Sequence, residues 1–260
     1  MNLTDTHTHL YVEEFDSDRP QVIRNAIENG VTRMLLPNID STTIEAMLQL
    51  AENYPSNCFP MMGLHPTSVN ETFEKELELV HKELDKSGKY FGVGEIGIDL
   101  YWEKTFREQQ IESFRRQLQW AKQYKLTVSI HTRDAFDITL QTVKEELTDD
   151  LTGVFHCFTG SVSQANKIID MGFKLGIGGI VTFKNAGLDK VVEKLPPEAL
   201  VIETDSPYLT PVPYRGKRNQ SAYLVYIAEK IAEILQVKKE KVAEITQKNA
   251  DNLFFQNLST

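Results

Sequence analysis

The sequence predicts an α/β protein folded as a (β/α)8 TIM barrel, a single domain over 1–260 with an extra C-terminal helix. Three observations lead there. Short apolar runs alternate with stretches of helical periodicity, and eight such units follow one another at about one per 30 residues. The turn after the first run reads Thr6-His7-Thr8-His9, where a doubly wound nucleotide-binding sheet would usually carry a glycine-rich loop. Histidines and carboxylates recur at the ends of the apolar runs, and barrels of this kind place their active sites at the C-terminal ends of their strands. No internal repeat or low-complexity linker interrupts the pattern.

Taken in order, a first strand at about 2–7 leads into the acidic loop Glu13-Glu14-Phe15-Asp16-Ser17-Asp18. Asp18 can cap the helix that follows, with Pro20 in its first turn, Val22, Ile23, Ala26 and Ile27 at helical spacing, and Gly30 at its end. A strand over 32–36 closes at Pro37, and Asp40 or Ser41 is placed to cap a helix bearing Ile44, Met47, Leu48 and Ala51. Strand 59–64 precedes helix 71–86. Strand 90–94 reaches helix 106–124 through a long loop, and strand 127–130 precedes helix 134–147. Strand 153–155 precedes helix 161–171, and strand 173–177 a shorter helix near 185–194. Strand 200–202 opens into a long loop before helix 221–235, and a last helix spans about 239–255.

Composition narrows the class. Hydrophobic content of 41% and charged content of 25% suit a globular chain with a substantial core. A net charge of −9 argues against indiscriminate binding to nucleic acid or anionic membranes, while leaving room for a local basic patch. Cys58 and Cys157 sit in apolar, strand-like contexts, so a disulfide framework is not expected and a reducing, cytoplasmic compartment is. No apolar stretch approaches the roughly 18 residues of a membrane span, and the N-terminal stretch lacks a basic leader.

The strand ends carry the chemistry. His7 and His9 share a face by the two-residue period of a strand, and two such imidazoles can converge on one ion. Taken alone, they would better suit a pair of surface histidines on a strand. Later strand ends add His65, Glu95, His131, His156 and the pair Glu203 and Asp205, so five of the six histidines fall at such positions. The sixth, His81, lies on a charged helix and reads as a solvated surface residue. His7, His9, Glu95, His131, His156 and Asp205 supply four imidazoles and two carboxylates, generous for one ion and suited to two. Glu95 is the candidate bridge, with His7, His9 and Asp205 completing one site and His131 and His156 the other.

In this order the motifs resemble the TatD-type metal-dependent deoxyribonucleases, a branch of the amidohydrolase-like barrels. The matching pieces are Asp5-Thr6-His7-Thr8-His9-Leu10, Gly63-Leu64-His65-Pro66, Gly94-Glu95-Ile96-Gly97-Ile98-Asp99 and Ser129-Ile130-His131. Phe155-His156-Cys157-Phe158-Thr159-Gly160, Glu203-Thr204-Asp205-Ser206-Pro207-Tyr208-Leu209 and Arg215-Gly216-Lys217-Arg218-Asn219 continue the match over nearly the whole chain. The resemblance implies a hydrolase using two divalent cations (Mg, Mn or Zn) on DNA, trimming single strands from the 3′ end. Three departures stand out: Tyr11 where many relatives carry aspartate, Gln220-Ser221 in place of a common Glu-Pro, and Thr67 where some members have a further histidine.

On that footing Asp205 is the expected general base. Glu203, two residues earlier on the expected same face, either extends that acid network or serves as a structural partner. His65 is expected to contact the substrate phosphate or to support the site from behind. Arg133, Arg215, Lys217 and Arg218 are expected to rim the mouth and meet phosphates. Tyr101 and Trp102 can stack on an unpaired base or pack their loop onto the fourth helix. DNA is thus the expected partner, with neither a membrane nor an obligate protein partner indicated. Hydrolysis of a small ester, lactone, amide or aminoacyl compound is the alternative the same barrel would support.

Overall fold

The structure is a computed structural model that describes residues 2–256 apart from Ser87 and Glu103; Met1 and 257–260, part of the expected 1–260 domain, also lie outside the described residues. Strands β1 (Leu3–Asp5), β2 (Val31–Pro37) and β3 (Cys58–Met61) form one parallel sheet. Strands β4 (Val93–Asp99), β5 (Val128–Arg133), β6 (Gly153–Phe155), β7 (Lys174–Ile177) and β8 (Leu200–Ile202) form a second, each beside the next in sequence. Bridges Met62–Val93 and Thr8–Ser206 join the two sheets at both seams. The Thr6 N–H donates to the Ile202 carbonyl at 3.1 Å, and the Asp205 N–H to the His7 carbonyl at 2.9 Å. The result is a closed parallel barrel, and the β1–β8 seam is sealed by the stretches that carry His7, His9 and Asp205.

Helices α1 (Arg19–Glu28), α2 (Ile44–Asn53), α3 (Phe73–Leu84) and α4 (Arg107–Tyr124) follow the first four strands. Next come α5 (Phe136–Glu146), α6 (Val162–Ile169), α7 (Leu188–Val192), α8 (Leu224–Leu235) and the added α9 (Lys239–Phe254). Alternation along a strand divides the core in two. On β2, Met34 and Leu36 join the large cluster between barrel and helices, whereas Leu35 joins Phe59, Met61, Val154 and Val201 inside the barrel. The end of α9 closes that interior from the strands' N-terminal side. Phe254 and Phe255 belong to the inner cluster, and the Phe255 ring lies 4.9 Å from that of Phe59. The Arg33 guanidinium sits 4.4 Å over the Phe255 ring and pairs with Asp251. With that end plugged, the strands' C-terminal ends are the open face.

The largest departure from the expected elements is β4, which runs through Asp99 instead of ending at Gly94. The Gly94–Asp99 motif is therefore itself the strand, paired to β5 through Ile96–Ile130, Gly97–His131 and Asp99–Arg133. Gly97 makes this fit possible: with φ at 146°, any Cβ would lie 2.0 Å from the His131 carbonyl oxygen. β3 stops at Met61, short of the expected 64, and α7 is a short Leu188–Val192 helix. Asp18 stands at the α1 cap position without capping it, because its carboxylate is held by Arg218. Helix α2 begins only after Thr43, since Asp40 accepts bonds from the Thr42 N–H at 3.0 Å and the Ser68 hydroxyl at 2.8 Å.

Candidate metal centre

At the open face the side chains converge on one carboxylate. Glu95, on β4 and 2% exposed, turns its two oxygens in different directions. Oε2 lies 3.0 Å from His7 Nε2 and 3.5 Å from His9 Nε2. Oε1 lies 2.8 Å from His131 Nδ1 and 3.3 Å from both His156 Nε2 and His65 Nε2. Asp205 Oδ1 completes the first side, 3.7 Å from His9 Nε2 and 4.0 Å from His7 Nε2. Three overlapping groups bring ligand atoms within 4.8 Å of one another: His7, His9 and Glu95; His7, His156 and Asp205; His65, Glu95 and His131. All six residues expected to hold metal are thereby in one place.

The donor set suits divalent cations. His7 Nε2 and His9 Nε2 lie only 3.2 Å apart, a separation at which two lone pairs repel unless a proton or a cation lies between them. The outward nitrogens show which atoms carry lone pairs. Tyr11 Oη donates to the Pro37 carbonyl at 2.5 Å, so toward His9 Nδ1, 2.9 Å away, it can only accept. His9 Nδ1 then holds the hydrogen and its Nε2 is free to ligate. Glu203 Oε1, 3.0 Å from His156 Nδ1, imposes the same choice on His156. His7 Nδ1 is 3.0 Å from Ser129 Oγ, and His131 Nε2 is 2.9 Å from Asp99 Oδ2.

His65 is arranged the other way round. Its Nδ1 accepts from the Thr67 N–H at 3.1 Å and lies 2.6 Å from the Thr67 hydroxyl, so the neutral ring carries its hydrogen on Nε2, facing the cavity. Burial pushes its pKa down, against the pull of Glu95. It enters the site as a hydrogen-bond donor even though its position alone would permit ligation.

Electrostatics agree with a site built for cations. Burial opposes the charge on Glu95, but His65, His7 and His156 outweigh it and hold its carboxyl well below the usual range. Burial likewise opposes charge on His156 and His131; Glu203 with Glu95, and Asp99 with Glu95, nevertheless raise their pKa values. His7 goes down, through burial and the ring of His156 stacked 3.6 Å away. Asp205 is pushed up by burial to about 6.

Asp205 and Glu203 do not share a face. β8 ends at Ile202, and Asp205 takes φ 55°, a left-handed conformation that aspartate tolerates better than most residues. Asp205 therefore faces the cavity, while Glu203 lies behind His156 and accepts the Cys157 N–H at 2.5 Å. Room for Glu203 comes from Gly176, where a Cβ would meet Glu203 Oε2 at 2.2 Å.

The site opens into a cavity of about 630 Å³ that Glu95, Asp205 and four of the histidines help to line. Arg133, Trp102 and Tyr208 stand at its mouth, with Trp102 67% and Tyr208 51% exposed. The Arg133 guanidinium lies 3.9 Å over the Tyr101 ring and 5.4 Å from that of Trp102. Arg215, Lys217 and Arg218 are not brought into the cavity wall. Arg215 sits over Phe183, Lys217 over Tyr214, and Arg218 pairs with Asp18 at 2.6 Å while covering Phe15.

The sequence reading assigned no role to Tyr11, Ser129, Tyr208 or Asp99. For Asp99 a signal existed: it lies four residues beyond Glu95 on one strand and so shares its face. For Ser129 and Tyr11 none did, since a hydroxyl behind a ring is visible only in three dimensions.

Known proteins with similar sequence and fold are metal-dependent hydrolases. A family model described as TatD related DNase matches residues 4–255. The metal-dependent hydrolase YabD of Bacillus subtilis is 41% identical over 253 residues, covering 97% of this chain and 98% of its own. The metal-dependent hydrolase YcfH of Escherichia coli is 35% identical over 260 residues, covering 98% and 96%. The crystal structure of YjjV, a TatD homologue from E. coli, superposes with a TM-score of 0.91 at 29% identity, covering 97% of both chains.

Proposed function

The chain belongs to the TatD-related DNase family of metal-dependent hydrolases, and on that footing we propose that it hydrolyses phosphodiester bonds of DNA, removing nucleotides from the 3′ ends of single strands. The observation that carries the reading is the division of Glu95: Oε2 toward His7 and His9, beside which Asp205 lies, and Oε1 toward His131, His156 and His65. Such a division would suit a carboxylate shared by two cations. Bound there, Mg2+, Mn2+ or Zn2+ would lower the pKa of water and neutralise phosphoryl oxygens.

The chain's own residues supply the rest. The Asp205 carboxylate takes no hydrogen bond from the described residues, so it is free to accept the proton of the attacking water. His65 presents an Nε2–H to a phosphoryl oxygen. Arg133, its guanidinium over the Tyr101 ring and near that of Trp102, offers a charged donor pair to the next phosphate. Trp102 and Tyr208 expose ring faces on which an unpaired base can stack, which favours a single strand over a duplex. Glu203 acts through His156 by fixing which of its nitrogens points inward.

A second reading, hydrolysis of a small ester, lactone, amide or aminoacyl compound, draws support from the cavity wall, where Arg133 is the one Arg or Lys among the described lining residues. The two separate on a direct assay. A 5′-labelled single-stranded oligonucleotide with Mn2+ should shorten stepwise from its 3′ end. Intact DNA beside turnover of a small-ester panel would overturn the nuclease reading in favour of the second.

A further inference from the structure

Asp99 is fully buried at the C-terminal end of β4, and its two oxygens do different things. Oδ2 lies 2.9 Å from His131 Nε2. Oδ1 accepts the N–H groups of Tyr101 and Trp102, each at 2.9 Å, and so fixes the turn that carries both aromatic rings. Arg133, two residues after His131 on β5 and opposite Asp99 in the strand register, lies with its guanidinium 3.9 Å over the Tyr101 ring and 5.4 Å from that of Trp102.

We propose that Asp99 is a positioning residue that sets, with one carboxylate, both the ligating nitrogen of His131 and the orientation of the substrate-facing aromatic turn. A carboxylate can only accept, and each His131 nitrogen faces one, Nε2 the Asp99 Oδ2 at 2.9 Å and Nδ1 the Glu95 Oε1 at 2.8 Å, so without a cation both nitrogens donate. A cation held beside Glu95 would take the place of the Nδ1 hydrogen, while Asp99, on the far side of the ring, would keep the hydrogen on Nε2. His131 thus presents Nδ1, whereas His156 is fixed by Glu203 to present Nε2. The same carboxylate ties this choice to Arg133 and the aromatic rim, so the metal end and the nucleotide end of the site share one support.

Asp99→Asn separates the two jobs. The amide keeps the shape but has one acceptor. If its oxygen stays with the two backbone N–H groups, its NH2 faces His131 Nε2, donor against donor, and His131 must move its hydrogen to Nδ1, where it blocks ligation. If the amide flips, two backbone N–H groups lose their partner instead. The first arrangement preserves more bonds and is the one expected. The logic matches the loss of the correct histidine tautomer when a triad aspartate becomes asparagine.

This inference rests on the proposed cation site, and the experiment tells the two apart. Zn2+ affinity is measured by chelator competition on wild type, Asp99→Asn and Asp99→Ala. Long-range 1H–15N spectra of the Zn2+-loaded proteins are assigned with a His131→Gln variant. Wild type should show His131 protonated on Nε2 and ligating through Nδ1. Asp99→Asn should lose about 10- to 100-fold in affinity for one equivalent of Zn2+ and lose that Nε2–H signal. Its Trp102 fluorescence, read in a Trp120→Phe background, should stay as in wild type, whereas Asp99→Ala should change it. Unchanged affinity and an unchanged Nε2–H signal in Asp99→Asn would overturn the role of Asp99. Should Asp99→Asn fail to fold, ligation through Nε2 in wild type would overturn it alone. Wild type that binds no divalent ion would instead overturn the cation site itself.

Discussion

Replacing Asp205 by asparagine isolates one chemical property. Asn keeps the side-chain shape and also tolerates the left-handed backbone found there, at φ 55°. The backbone bond from the residue 205 N–H to the His7 carbonyl, 2.9 Å, is untouched. What disappears is a proton acceptor and one negative charge 3.7 Å from His9 Nε2. Loss of a general base removes about 10²–10⁴ of rate, or about 2.7–5.4 kcal/mol of transition-state stabilisation. Weaker cation binding on the His7–His9 side adds to this loss under limiting metal but not under saturation. Stability should move little or rise in the metal-free protein, because burial disfavours this carboxylate and Glu95 lies close by. The assay is turnover on end-labelled single-stranded DNA across a Mn2+ titration, with metal content and thermal unfolding measured on the same preparation. Turnover within a few-fold of wild type at saturating Mn2+ would refute the general-base role. A collapsed melting transition would show the residue to be structural.

Other consequences can be checked independently. Exhaustive chelation should abolish hydrolysis and lower the melting temperature by roughly 5–10 °C, since a ligand at a hundred times its Kd contributes about 2.7 kcal/mol; full activity after chelation would contradict this. Arg133→Ala should raise KM for DNA several-fold and flatten the slope of log affinity against log salt by about 0.7, the share of one phosphate contact on a single strand. Arg218→Ala, by contrast, should lose about 1 kcal/mol of stability through its contacts with Asp18 and Phe15, read by chemical denaturation. Phe255→Ala should destabilise by about 3 kcal/mol, because it opens the plugged end of the barrel, yet leave KM unchanged.

The eight-fold alternation was legible because barrel strands and helices have different periods, and the convergence of the candidate ligands was legible because a parallel barrel gathers strand ends on one face. What escaped were features set by neighbours in space. The extent of β4 depends on its pairing with β5 and on Gly97, not on its own apolar pattern. The expectation that Glu203 and Asp205 share a face failed because the strand ends at Ile202, and period-two reasoning stops where the strand does. The loop cations looked equivalent along the chain; only the fold reveals that Arg218 meets Asp18, 200 residues away, while Arg133 stands at the cavity. Tyr11, noted in the sequence only as an expected departure from the resemblance, fixes the His9 hydrogen on Nδ1 through its hydroxyl.

The central claim, that Glu95 divides the cavity into two cation positions, is tested most directly by anomalous diffraction from crystals loaded with Mn2+ or Zn2+. Two peaks are predicted, roughly 3.5–4 Å apart. One should lie among His7, His9, Asp205 and Glu95 Oε2, the other among His131 Nδ1, His156 Nε2 and Glu95 Oε1. A single peak at saturating metal, or peaks that leave Glu95 out, would contradict the account.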